Sequence, residues 1–231
     1  MRIAIIGAGK MGRAIRMEAE RRGHAIVTTV TGPENPGGGA ITAERFRDVE
    51  MAIEFTRPDA VVPNLERLLA LGVPMVTGTT GWQRELPRIT ALVEARGGAL
   101  LYAANFSLGL LLLLRAAREL GRGLAGLPGF DGVLMEWHHR EKQDAPSGTA
   151  LMLQRALREA DPTRKWPVTS VRLGAVPGTH AIEVDGSFES LSLVHRVRDR
   201  AVFAQGAVTA AEWLLGRTGV HTFADVLGGT S

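Results

Sequence analysis

Cysteine is absent from this 231-residue sequence, so disulfides, thiol nucleophiles and cysteine-ligated metals are excluded at the outset. An excess of one charge is missing too. The formal net charge is +3, and no Lys/Arg cluster carries interleaved aromatics, which argues against nucleic acid as a partner. Long apolar runs are also lacking. The greasiest stretch, Leu108 to Leu114, is interrupted by Gly109 and ended by Arg115, well short of the about 20 apolar residues that a membrane helix needs. Residues 1–7 hold too short an apolar run for a signal peptide. The expectation is a soluble, cytoplasmic protein with no membrane partner. The remaining composition, 45% hydrophobic and 22% charged, is ordinary for a globular chain long enough for one large domain or two smaller ones.

Arg2 to Ile6 is a continuous apolar run, the mark of a strand buried on both faces of a parallel sheet. It leads into Gly7-Ala8-Gly9-Lys10-Met11-Gly12, a G-x-G-x-x-G, and then into a helix with Met11, Ala14, Ile15 and Ala19 on one face. A second strand, Ala25 to Val30, completes a β-α-β unit. In that frame the glycines permit a tight turn, close approach of a pyrophosphate, and packing of helix on strand. An acid that holds the ribose hydroxyls is expected at the end of the second strand, but the chain reads Val30-Thr31-Gly32 there. Glu34 follows beyond a Gly-Pro turn, in a Gly/Pro-rich segment to Gly39 that reads as mobile. Thr31 neither chelates both ribose hydroxyls nor repels a 2′-phosphate, and only Lys10 or Arg13 offers a nearby cation. Both NADH and NADPH are therefore expected to serve, with NADPH moderately favoured.

The doubly wound pattern continues through strands at 51–55, 73–77 and 99–103. They end in three small polar loops, at Thr56, at Gly78-Thr79-Thr80-Gly81 and at Ala103-Ala104-Asn105-Phe106-Ser107. In an open parallel sheet ligands bind outside the carboxyl ends of the strands, so these loops are expected to line one crevice. From Leu108 the pattern changes. A leucine-rich helix precedes half-buried strands at 168–173, 180–184 and 191–197, which suit a mixed or antiparallel sheet, and residues 200–215 read as a closing helix. The expected organisation is α/β. A Rossmann-like doubly wound domain spans residues 1–106 and 201–231, and an α+β domain for substrate and subunit contacts spans 107–200.

The densest polar stretch is Glu136-Trp137-His138-His139-Arg140-Glu141-Lys142-Gln143-Asp144-Ala145-Pro146-Ser147-Gly148-Thr149-Ala150, between a strand read over 130–136 and a helix. Ser147 is a good N-cap, and the amides after it carry the positive end of a helix dipole, an anion site. With Lys142, two imidazoles and the Thr149 hydroxyl, the loop suits a small carboxylate or phosphate. His24, His180, His195 and His221 show no ligand spacing, so no metal is expected.

The run E-x-H-H-x-x-K-x-D-A-P-S-G-T-A resembles the signature of the 4-hydroxy-tetrahydrodipicolinate reductase (dihydrodipicolinate reductase) family. E-F-T-R-P, G-T-T-G and A-A-N-F-S resemble its cofactor-side loops, and F-A-x-G-A-x-x-A-A-x-W-L its return crossing. The resemblance implies an NAD(P)H-dependent reductase acting on a cyclic dicarboxylate in the diaminopimelate route to lysine. It assigns proton donation to His138 and Lys142 and the substrate carboxylates to His139, Gly148 and Thr149, and the helix start adds Ser147 to that substrate-binding set. It also implies a homotetramer and a weak supporting part for His180, while Glu136 and Asp144 read as supporting or capping groups rather than general acids. A different Rossmann reductase acting on an amino-acid-like substrate, or a non-catalytic NAD(P)-sensing regulator, would account for the first half alone.

Overall fold

Four consecutive buried residues, Ile3 to Ile6, put β1 (Arg2–Ile6) in the middle of a sheet, where neither face meets water. The computed structural model describes residues 1–228. They fall into two units, Met1–Ser107 with the chain from Ala201 onward, and Leu108–Arg200.

The first unit is a six-stranded parallel sheet. Around β1 it contains β2 (Ala25–Val30), β3 (Met51–Glu54), β4 (Met75–Thr77), β5 (Ala99–Tyr102) and β10 (Gly219–Thr222), in the order β10-β5-β4-β3-β1-β2. Helices α1 (Lys10–Arg21), α2 (Pro58–Ala70), α3 (Leu86–Ala95) and α6 (Ala201–Leu214) accompany it. The inner faces of these helices are the sequence-periodic ones: Ile15 and Ala19 of α1, and Val61, Leu65, Leu68 and Leu69 of α2, are buried. Each of the larger side chains among these, Ile15, Val61, Leu65, Leu68 and Leu69, contributes roughly 1.5–3 kcal/mol on full burial. β10 escaped the sequence reading because four residues, Gly-Val-His-Thr, carry no periodic signal. The 31–39 segment, read as mobile, is tied to α2: Asn35 is buried and its Nδ2 donates to Asn64 Oδ1 at 2.8 Å.

The second unit has four strands, β6 (Phe130–His138), β7 (Val168–Arg172), β8 (Thr179–Gly186) and β9 (Ser190–Arg196), in the order β7-β6-β8-β9. The β6–β7 pair is parallel and the others antiparallel. Helices α4 (Leu108–Leu124) and α5 (Gly148–Ala160) build its core with Leu134, Ile182 and Leu193, which lie in register on one sheet face. β6 runs two residues further than its sequence suggests, because β7 pairs with it through Trp137↔Val171 and His138↔Arg172. His138 therefore sits at the end of a strand, and only His139 onward is loop.

Candidate functional site

The glycine loop of the first unit shows why two of its glycines, Gly7 and Gly12, are needed. A Cβ on Gly7 (φ +106°) would stand 2.0 Å from the Phe55 carbonyl oxygen, and one on Gly12 would stand 1.8 Å from the Gly7 carbonyl oxygen. Around Gly9 a Cβ would meet nothing within 4 Å. The loop is thus closed on its protein side and open where a ligand would lie. Gly9 caps α1 without any side-chain hydrogen bond, and no acid occupies the first turn, so the amides at that helix start keep their pull on an anion. A cavity of about 670 Å³ opens here, lined among others by Gly7, Ala8, Gly9, Thr31, Thr56 and Arg57. With the free amides of the helix start on its wall, it suits a phosphate-bearing ligand. Lys10 is exposed, and Met11 is half-buried.

The loops from Gly78 to Phe106 are held by contacts of their own. Gly78, Thr79, Thr80, Ala103, Ala104, Asn105 and Phe106 are not among the residues lining this cavity. A Cβ on Gly78 would stand 2.1 Å from the Phe55 ring, which also packs on Phe106 at 5.6 Å between centroids. The Thr79 hydroxyl is fully engaged: it donates to Glu54 Oε2 at 2.8 Å and accepts the Thr56 N–H at 2.8 Å. Asn105 Oδ1 accepts the Ser107 N–H at 2.8 Å. Thr80 and Ala104 are exposed, and Ala103 half-buried. At the heart of these loops Glu54 is fully buried, taking hydroxyl protons from Thr56, Thr77 and Thr79 and an amide proton from Asn64. Burial holds its carboxyl above the usual range against those four donors.

The other cluster lies at one end of the β6-β7-β8 sheet. Glu136 is fully buried, and its Oε1 accepts the Ser147 N–H at 3.0 Å, the Ser170 hydroxyl at 2.7 Å and Arg172 Nη2 at 3.2 Å. Its Oε2 has no hydrogen-bond partner and stands 3.3 Å from His138 Nδ1 and 3.7 Å from His180 Nε2. The two imidazoles meet edge to face, 5.2 Å apart. Burial lowers the His138 pKa against the pull of Glu136, and Lys142 and Arg172 lower it further. His180, deeper still, is pushed down to about 4 by burial and by His138.

Lys142 Nζ donates to Asp144 Oδ1 at 2.6 Å, and that ammonium holds the Asp144 carboxyl below the usual range, with help from the Gly148 N–H. Ser147 caps α5 as its sequence suggests, its Oγ accepting the Ala150 N–H at 3.1 Å and lying 3.3 Å from His180 Nε2. Around Gly148 a Cβ would meet nothing within 4 Å. The helix start is thus less open than the sequence implied: the Ala150 amide is occupied by Ser147, and Asp144 leans on Gly148. Thr149 is half-buried. His139 turns elsewhere. Its Nε2 lies 3.1 Å from Arg200 Nη2, beside a second cavity of about 660 Å³ whose wall includes Arg140, Arg198 and Arg200.

Two features had no sequence signal. Arg172 reaches Glu136 and the carbonyls of Lys142 and Asp144 from β7, because strand register sets it opposite His138. Register likewise places His180 opposite Glu136. Together Glu136, His138 and His180 offer ligand atoms within 4.8 Å of one another, a donor set that a divalent metal could take and that spacing along the chain does not reveal. Arg172 and Lys142 stand against the same groups, so a dication would meet two cations there, and a proton is the better guest.

Family models described as dihydrodipicolinate reductase, N-terminus and C-terminus match residues 1–106 and 109–227. The chain is 32% identical to the 4-hydroxy-tetrahydrodipicolinate reductase of Christiangramia forsetii, covering 98% of both chains. With that of Gluconobacter oxydans it shares 35% identity over 95% of each. Among solved structures, dipicolinate-bound dihydrodipicolinate reductase from Paenisporosarcina sp. TG-14 has the same fold, with a TM-score of 0.81 at 22% identity over 97% of this chain and 98% of that one.

Proposed function

The chain belongs to the dihydrodipicolinate reductase family, and on that premise we propose that it reduces 4-hydroxy-tetrahydrodipicolinate to tetrahydrodipicolinate in the diaminopimelate route to lysine. It is an oxidoreductase that uses a nicotinamide dinucleotide. The observation that carries the reading is the conjunction, in a chain matched end to end, of an open, uncapped glycine loop with the Glu136–His138–Lys142–Ser147 cluster.

A bound nicotinamide supplies the hydride. This chain's residues do the rest. The uncapped start of α1 and the open face of Gly9 hold the pyrophosphate. Lys142 and the Ser147-Gly148-Thr149 turn receive the substrate carboxylates, a substrate carboxylate taking the place of Asp144 on Lys142, and His139 joins them by leaving Arg200. His138 gives the reduced ring its proton, with Lys142 beside it; a group that titrates near neutrality is suited to that work. Both dinucleotides serve, with NADPH moderately favoured, and the protein acts in the cytoplasm. Among the described residues no helix is long and apolar enough to cross a membrane.

The same reading makes the protein a homotetramer assembled through the sheet of the second unit. What supports this is the face turned away from α4 and α5, where Met135, Ala181 and Val194 lie in register, Met135 half-buried and Val194 exposed.

The direct test follows the nicotinamide absorbance band with enzymatically generated substrate. Oxidation of NADPH that depends on the substrate is expected, and pyridine-2,6-dicarboxylate should compete with it. In Lys142→Ala/Thr149→Val that competition should vanish. An inhibition constant unchanged in the double variant would put the carboxylates elsewhere.

A further inference from the structure

Glu136 divides its labour unequally between its two oxygens. Oε1 is saturated by three donors from three places: the start of α5, Ser170 and Arg172. Those contacts fix the plane of the carboxylate and aim Oε2 at the imidazoles. Yet Oε2 is left without a hydrogen bond, and so is the enclosed His138 Nδ1 only 3.3 Å away. An unpaired buried carboxylate oxygen is costly, and native structures rarely leave one without a reason. One adjustment satisfies both atoms: a proton on Nδ1 directed at Oε2. The opposite ring edge, with Nε2, then faces Gly178, where the missing side chain leaves space; a Cβ there would already crowd Nε2 at 3.2 Å.

We infer that Glu136 is a positioning residue for His138, holding the ring with Nδ1 protonated so that its second proton, on Nε2, is the one released after hydride transfer. The inference rests on the reading of His138 as proton donor. In the step, the 4-hydroxyl leaves with a neighbouring ring proton as water, the hydride and its electron pair add to the unsaturated ring so formed, and the Nε2–H bond breaks as the reduced ring takes that proton. His138 is left neutral with Nδ1–H still on Glu136. Solvent returns the Nε2 proton before the next turnover.

The groups facing His138 determine how well this works. Burial, Lys142 from the following loop and Arg172 from β7 oppose the charged imidazolium; Glu136 and Asp144 favour it. His180 of β8 approaches the same Oε2, with His195 beyond it on β9. His180 stands farther from the oxygen than His138 does, and the Ser147 hydroxyl shares its Nε2. The shared carboxylate is therefore committed to His138.

The test reads the ring directly, by nitrogen-15 correlation spectra of the histidine imidazoles in the full-length protein, with His138→Gln supplying the assignment. In the unaltered protein neutral His138 should carry its proton on Nδ1. Glu136→Gln should lower the His138 pKa by about one unit or more, a loss of roughly ten-fold in its charged form at neutral pH. The alkaline limb of kcat, where the donor has lost its proton, should move down with it, while KM and the affinity for pyridine-2,6-dicarboxylate stay within about three-fold. Glu136→Asp keeps the charge but draws Oε2 back, and should fall between the two. An Nε2-protonated neutral ring in the unaltered protein, or a His138 titration unmoved by Glu136→Gln, overturns the positioning role. If instead the ring behaves as described while His138→Gln keeps its turnover, the proton-donor reading fails and the tautomer control stands.

Discussion

At the end of β2 a carboxylate returns that the sequence seemed to lack. Glu34 folds back so that its Oε1 accepts the Thr31 N–H at 2.6 Å, and Arg45 Nη2 approaches the same oxygen at 3.3 Å. Those two contacts hold the Glu34 carboxyl below its usual range, the Thr31 amide first. Arg45 also donates to the Thr28 hydroxyl and the Thr29 carbonyl, so a cation stands at the strand end together with the anion. Glu34 should disfavour a 2′-phosphate and Arg45 favour it. Glu34→Gln is expected to raise the NADPH:NADH ratio of kcat/KM, and Arg45→Ala to lower it. Each shift should be roughly ten-fold. Thr31→Asp should likewise turn the enzyme towards NADH. Ratios unmoved by all three changes would place the 2′-position away from β2. At the other cluster, His138→Ala should cost about 10²–10⁴-fold in turnover with little change in KM, the size of a lost general acid. A change confined to KM would remove His138 from proton transfer.

Between elements, what holds and what was legible come apart. Arg2–Ile6 and Ala25–Val30 could be bounded from the sequence because apolar runs and glycine spacing are local signals. The Ser147 cap was legible for the same reason: a serine before a periodic helix needs no distant partner. The pairing of Glu136 with His180 was not, since neighbours across a sheet are chosen by register and the 43 intervening residues say nothing of it. Nor was the hub at Glu54 visible, where one carboxylate gathers hydroxyls from the ends of β3 and β4 and the side chain of α2's Asn64, itself bonded to Asn35. Glu54→Ala should strand those buried donors at about 1–3 kcal/mol for each group left unpaired. Denaturant unfolding should show the loss, and dinucleotide affinity should fall while dicarboxylate binding persists. Equal loss of both ligands would mean that Glu54 merely holds the whole fold.

For the molecule as a whole, acid is the expected weakness. His180 refuses, in the folded chain, a proton that the unfolded chain accepts below about 6.5; its folded value is about 4. The unfolded state therefore binds more protons in that interval, and stability falls as pH drops from 6.5 to 4, with no further loss from this group below that. Melting temperature against pH should show the decline, and His180→Gln should flatten it; an identical slope in the variant would assign the acid sensitivity to other groups. In assembly, Val194→Asp with Met135→Asp should lower the molar mass seen by light scattering if subunits meet through that sheet face. The second unit also enters the chain as one uninterrupted stretch, Leu108–Arg200, while the first unit is completed only afterwards by α6 and β10. A ribosome delivers the chain in that order. Until residue 201 and beyond emerge, the dinucleotide sheet lacks its edge strand β10 and the apolar face of Ala204, Ala207, Val208 and Leu214 that packs on it. The inserted unit is thus free to fold first, and the unit whose synthesis began earlier is the last to be finished.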